Sequence, residues 1–141
     1  MKNTVKCNNG SFIGEETEDV IVWRGIPYAT QPVGDLRWKK ALPAVDDDGI
    51  YEAIKWGHLP IGPKNDSEGK TEFGEDCLIL NVYCGKGCED AKKPVMAWIH
   101  GGGFVAESIA QPLYDLSNIA KLYPDVVFVA IEYRLGFMGF M

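Results

Sequence analysis

The sequence predicts an α/β fold in which short antiparallel hairpins precede the first strands of a mixed, mostly parallel central sheet. Three observations carry that prediction. Residues 78–83, 95–99 and 126–131 are near-continuous apolar runs, the pattern of strands covered on both faces. Between the last two runs, Leu116, Ile119, Ala120 and Tyr123 recur at helical spacing within 114–123, and Pro124 ends the periodicity. Strand, helical crossover and strand form the α/β signature, with a right-handed parallel connection as the default.

The earlier elements are of another kind. Residues 5–15 and 20–26 alternate or run apolar around Asn9-Gly10 and Glu18-Asp19. They read as short antiparallel strands, with Asn-Gly the strongest turn cue. Residues 27–74 carry Pro27, Pro32, Pro43, Pro60 and Pro63 among many glycines and show no sustained period. This Pro/Gly-rich meander is expected to be ordered around Trp38 and Trp56, with the polar stretch 64–70 as a mobile loop.

The chain has 141 residues, room for one domain or a piece of a larger one. Lys+Arg total 14 against 20 Asp+Glu, a net charge of −6. That balance argues against a nucleic-acid partner, which draws on clustered Lys and Arg. No apolar run approaches the ~18–20 residues of a membrane span, so no membrane partner is expected. With 4 Trp, 6 Tyr and 6 Phe, the chain carries more core-forming residues than a disordered one. The first ten residues hold positive charge without an apolar segment, so no secretory signal is visible. Cys7, Cys77, Cys84 and Cys88 are too sparse for a disulfide framework. Cys84 and Cys88 flank Gly-Lys-Gly, but neither His58 nor His100 stands at a metal-motif spacing from them. No metal or cofactor is expected, and the cysteines read as free thiols of a cytoplasmic protein.

One segment concentrates chemistry: His100-Gly101-Gly102-Gly103-Phe104, directly after the 95–99 run. Three glycines leave the backbone bare, so its N–H groups can approach a ligand closely. Paired N–H donors aimed at one point stabilise the oxyanion that forms when an acyl carbonyl is attacked. Open α/β sheets also bind ligands at the carboxyl ends of their strands. A simple chain-reversing turn would use the same glycines, and composition leaves both readings open. The phosphate-binding patterns G-x-x-x-x-G-K-[ST] and G-x-G-x-x-G are absent.

Several blocks together resemble a known family. Trp23-Arg24-Gly25-Ile26-Pro27-Tyr28-Ala29, followed by Pro32-Val33-Gly34-Asp35-Leu36-Arg37-Trp38, is similar to the opening of the type-B carboxylesterases. That group holds the cholinesterases and the bacterial para-nitrobenzyl esterases. Glu75-Asp76-Cys77-Leu78-Ile79-Leu80-Asn81-Val82 resembles its E-D-C-L-x-L-N-V signature, and the glycine segment its H-G-G-G-F loop. Tyr114-Asp115 and Tyr133-Arg134-Leu135-Gly136-Phe137-Met138-Gly139-Phe140 match later landmarks in the same order.

The resemblance implies an α/β-hydrolase fold and hydrolysis of a small carboxylic ester by a Ser–acid–His triad. It implies that the N–H groups of Gly102 and Gly103 are two of the oxyanion donors. His100, Gly101 and Phe104 would support that loop, His100 as a structural group rather than the general base. Arg37 and Glu75 stand where the family places an ion pair tying the meander to the sheet; if buried, losing one partner costs several kcal/mol. There are two departures. Residues 57–63 lack the Cys that often bridges to the E-D-C-L block, so Cys77 is expected to stay reduced. Glu107 replaces a small residue after the glycine loop and is expected to face solvent.

No triad can be assembled. None of Ser11, Ser67, Ser108 and Ser117 has glycine at both −2 and +2, as a G-x-S-x-G elbow requires. Residues 1–141 are therefore expected to be the N-terminal part of a catalytic domain, inactive alone, supplying the oxyanion loop without nucleophile, acid or base. The 126–131 strand is expected to lie at an edge without partners, an association surface. The alternatives are one half of a split esterase completed by a separate C-terminal chain, and a non-catalytic binding or adhesion module of the same fold.

Overall fold

The computed structural model describes residues 3–63, 71–88 and 92–140; the stretch 64–70, expected as a loop, lies outside them. The chain opens with a hairpin of β1 (Thr4–Cys7) and β2 (Asn9–Ile13). Its register pairs Cys7 with Gly10, so the turn centres one residue before the Asn-Gly cue. Gly10 instead sits inside β2 at φ +130°, where a Cβ would come 2.8 Å from the Tyr51 ring. Short β3 (Glu15–Glu16) leads through Glu18-Asp19 into β4 (Val20–Pro27). The meander contributes β5 (Asp47–Glu52), β6 (Leu59–Pro60) and β7 (Phe73–Gly74). The apolar runs become β8 (Ile79–Gly85), β9 (Val95–Ile99) and β10 (Val127–Ile131).

The central sheet is mixed, in the order β3-β4-β8-β10-β9. β4, β8 and β10 pair antiparallel in turn, and β9 and β10 pair parallel. The parallel pair is joined through α1 (Ser117–Leu122), as the α/β signature requires. That helix is shorter than its periodicity. Pro112–Tyr114 form a separate 3-10 turn, and the Asp115 carboxylate accepts the Ser117 N–H at 2.9 Å, starting the helix late. A second short helix, α2 (Gly136–Phe140), follows β10.

Strand order corrects one expectation. β10 does not lie at an edge: it inserts between β8 and β9, and β9 takes the edge. Val95 and Ile99 are accordingly 64 % and 63 % exposed despite their apolar sequence.

The two faces of the sheet are covered differently. On one, Val20, Val22, Tyr83, Phe128 and Ala130 pack with Ile109 and with Ala120 of α1. Each large side chain buried there is worth about 1.5–3 kcal/mol. On the other, Ile21, Trp23 and Cys84 pack against Phe12 and Ala53, which belong to or adjoin the small β1-β2-β5 sheet. Towards β9 that second face continues as three cross-strand rows: Cys84-Val127-Val95, Val82-Val129-Ala97 and Leu80-Ile131-Ile99.

The cysteines require a second correction. Cys84 and Cys88, expected as free thiols, are joined in a disulfide. β8 ends in a turn in which Gly87 adopts φ +81°, and this folds Cys88 back to a Cα separation of 6.2 Å from Cys84. Cys7 and Cys77 are free, the first exposed and the second buried. Burial pushes the Cys77 thiol up to about 12, so it stays protonated. Among the described residues no helix is long and apolar enough to cross a membrane.

Candidate active site

The glycine segment leaves the sheet at the carboxyl end of β9 and runs to Ile109, whose N–H bonds the side chain of Glu132, the residue after β10. Its backbone is unusual. Gly102 and Gly103 take φ +96° and +60°, and Phe104 and Glu107 follow at +63° and +78°. Such conformations cost a non-glycine residue energy and persist where the surroundings dictate them. Gly102 has no alternative: a Cβ would stand 2.1 Å from the Ala106 carbonyl oxygen.

Four of the five carbonyls of residues 100–104 are held. Tyr133 donates its hydroxyl to the His100 carbonyl at 2.8 Å, and His100 Nδ1 lies 3.0 Å from the Gly101 carbonyl. The Gly102 carbonyl accepts from Val105 and Ala106, both at 3.1 Å, and the Phe104 carbonyl from Gly136 at 2.7 Å. In contrast, the N–H groups of Gly101, Gly102 and Gly103 find no acceptor among the described residues. All three glycines are exposed. Most of the carbonyls are thus tied to the protein, while three successive N–H groups on exposed residues have no protein acceptor among the described residues.

His100 is the anchor of this arrangement. Its ring is fully buried, stacks on Tyr133 at a centroid distance of 4.5 Å, and meets Glu132 through Nε2···Oε1 at 2.8 Å. The other Glu132 oxygen accepts the Ile109 N–H at 3.0 Å. Burial raises the Glu132 carboxyl above its ordinary range, although hydrogen bonding and charge from His100 oppose the shift. Phe104, itself 60 % exposed, touches Tyr133 and Phe140 edge to face, so α2 braces the outer part of the loop.

Glu107, expected in solvent, is half-buried beside the loop: its Cγ would lie 2.8 Å from a Cβ on Gly102. Arg37 and Glu75 do pair, through Nε–Oε2 at 2.9 Å and an Nη2–Oε1 contact at 2.5 Å. The pair lies at the surface, with 44 % and 18 % of the side chains exposed, so the burial condition attached to it fails. Neither residue hydrogen-bonds the glycine loop. His58 stands apart, paired with Asp76 at 2.7 Å where both are largely exposed.

Sequence reasoning does not single out Glu132. Its one signal is an isolated acid closing an apolar strand, Ile131-Glu132-Tyr133. Only the pairing of β9 with β10 shows that this acid meets His100.

Comparisons of the whole chain with known proteins point to one group. A family model described as the carboxylesterase family matches residues 1–141. Phenmedipham hydrolase of Pseudarthrobacter oxydans is 37 % identical over 139 residues, covering 94 % of this chain and 28 % of its own. Para-nitrobenzyl esterase of Bacillus subtilis (strain 168) is 37 % identical over 141 residues, covering 97 % of this chain and 28 % of its own. Among solved structures, a thermophilic PNB esterase superposes with a TM-score of 0.87 at 34 % identity, over 100 % of this chain and 30 % of the other. A Geobacillus stearothermophilus carboxylesterase does so with a TM-score of 0.85 at 37 % identity, over 97 % and 27 %. The neighbours are α/β-hydrolase esterases. The chain spans about a quarter of the length of these relatives.

Proposed function

The chain belongs to the carboxylesterase family, and from that premise we propose that it supplies the oxyanion-binding loop of a serine ester hydrolase. The N–H groups of Gly102 and Gly103 stabilise the negative charge that develops on the acyl oxygen of a small carboxylic ester. The nucleophile, acid and base come from sequence outside residues 1–141.

One observation carries this reading: a glycine loop at a strand's carboxyl end in which four of five carbonyls are tied while the three glycine N–H groups have no protein acceptor among the described residues. Fixed donors act without reorganising at the moment of reaction, which is why they outperform water. The exposed β9 edge and its open apolar rows supply a seat for further sheet and covering helices. The loop lines neither of two cavities of about 620 and 630 Å³. Those flank the small β1-β2-β5 sheet, so a closed substrate cleft over the glycines requires additional chain.

The test compares the chain alone with the chain extended by its downstream coding sequence, both assayed on a short p-nitrophenyl ester. The extended protein should turn over ester and the isolated chain should not. Triad-like turnover by the isolated chain, or an inactive extended protein that carries a G-x-S-x-G serine, overturns the proposal.

A further inference from the structure

His100 and Glu132 each stand one residue beyond a strand, on the parallel pair whose register sets Ile99 opposite Ile131. Their side chains meet in a buried site, 0 % and 1 % exposed. Hydrogen counting then constrains the contact. The Gly101 carbonyl 3.0 Å from Nδ1 can only accept, so Nδ1 carries a hydrogen. Oε2 of Glu132 accepts from Ile109. A neutral ring would thus present a bare Nε2 lone pair to Oε1 at 2.8 Å, and a bare carboxylate oxygen would oppose it. The contact is a hydrogen bond only when a proton lies between the two atoms.

The same carboxylate touches both ends of the loop. Oε1 reaches His100, where the glycine segment begins, and Oε2 reaches Ile109, where it returns to the core. We propose that Glu132 is a positioning residue that clasps the glycine loop at entry and exit, acting on the entry side through one proton shared between Oε1 and His100 Nε2. The imidazole so fixed keeps its Nδ1–H on the Gly101 carbonyl, and that keeps the following N–H groups clear of protein acceptors. The functional meaning of the clasp rests on the oxyanion reading; its existence does not.

The other ionisable groups around Glu132 leave the shared proton undisturbed. Tyr28 donates its hydroxyl to the Glu132 main-chain carbonyl at 2.8 Å. Burial pushes Tyr28 and Cys77 up to about 12, with Arg134 opposing part of both shifts, and it also raises Tyr133. All three are neutral at working pH.

The experiment is nuclear magnetic resonance on the 15N-labelled chain, wild type against Glu132→Gln and Glu132→Ala. The wild type should show one slowly exchanging, downfield His100 Nε2 proton at neutral pH. Glu132→Gln can still donate to Nε2 and accept from Ile109. It should lose that proton signal and keep the Gly102 and Gly103 amide peaks in place. Glu132→Ala should displace or broaden the Gly102, Gly103 and Ile109 peaks while Val22 and Tyr83 in the core stay put. Absence of the wild-type proton signal, its survival in Glu132→Gln, or unmoved loop peaks in a folded Glu132→Ala chain each overturn the proposal. Where Glu132→Ala does not fold, Glu132→Gln decides alone, and displaced glycine peaks in it are a refutation. Ester turnover by the extended protein is a separate readout. No turnover with the loop response intact counts against the hydrolase reading and not against the clasp.

Discussion

Two carboxylate pairs, of similar sequence span, show how much the surroundings of a contact matter. Arg37 and Glu75 form two hydrogen bonds with good lateral geometry, and the guanidinium also lies 5.7 Å over the Trp38 ring. His100 and Glu132 form one, at 2.8 Å. By bonds alone the first pair is stronger. It is, however, open to water, which solvates either partner once the other is gone. The second pair is shut off from bulk solvent. Removing one member strands the other in a low-dielectric site and frees the loop it organises.

The largest effect should therefore come from breaking the buried pair. Glu132→Leu is expected to cost about 3–5 kcal/mol in urea unfolding, because it strands both the imidazole and the Ile109 N–H. Replacing both partners by apolar residues should recover part of that loss, since no group is then left unpaired at Nε2. A single-mutant loss below about 1 kcal/mol would place this pair beside a surface one and remove the distinction.

The loop tests the comparison from its other side, since a clasp is useful only if the backbone it holds can adopt the conformation. Gly102→Ala must displace the Ala106 carbonyl as well as occupy φ +96°, whereas Gly103→Ala at φ +60° meets nothing within 4 Å. The second should cost about 1–2 kcal/mol, the usual penalty of a left-handed L-residue, and the first more. In an active extended protein, Gly102→Ala should lower kcat by about 10²–10³, the loss expected for one oxyanion donor. A change confined to KM would contradict the assigned role.

These residues differ in how far they can be read from the chain. Gly102 and Gly103 are local: consecutive glycines after an apolar strand declare a backbone site without any tertiary knowledge. The Arg37–Glu75 pair is reachable because both residues fall within recognisable blocks. Glu132 is not, since its meaning depends on sheet order. β9 precedes β10 in the chain, yet β10 sits inside β9, and nothing in two similar apolar runs says which takes the edge. The same ambiguity puts the expected edge at 126–131 instead of Val95–Ile99. The Cys84–Cys88 bridge is hidden for a different reason. Its spacing suits a metal pair, a free pair or a disulfide alike, and the turn at Gly87 decides.

Acid–base linkage should separate the two pairs next. Burial raises the Glu132 carboxyl above its ordinary value of 4.5. A group raised in the folded state contributes stability that is complete below its unfolded value and lost as pH rises through the folded one. The difference in urea midpoint between wild type and Glu132→Gln should thus be most favourable to the wild type below about pH 4.5 and shrink upward from there. Flat behaviour across that window would mean that Glu132 is not desolvated in the native chain.

Breaking the exposed pair should have the smallest effect. Arg37→Gln or Glu75→Gln leaves a partner that water solvates at once, and the meander segment around it keeps its own backbone ties, among them the Leu36-to-Val33 and Arg37-to-Gly34 bonds. The melting midpoint should stay within replicate scatter. Any residual shift should vanish at about 0.5 M salt, where exposed charges are screened over a few ångströms. A large, salt-independent loss would show that geometry outweighs exposure in this molecule, and the two pairs would then have to be treated alike.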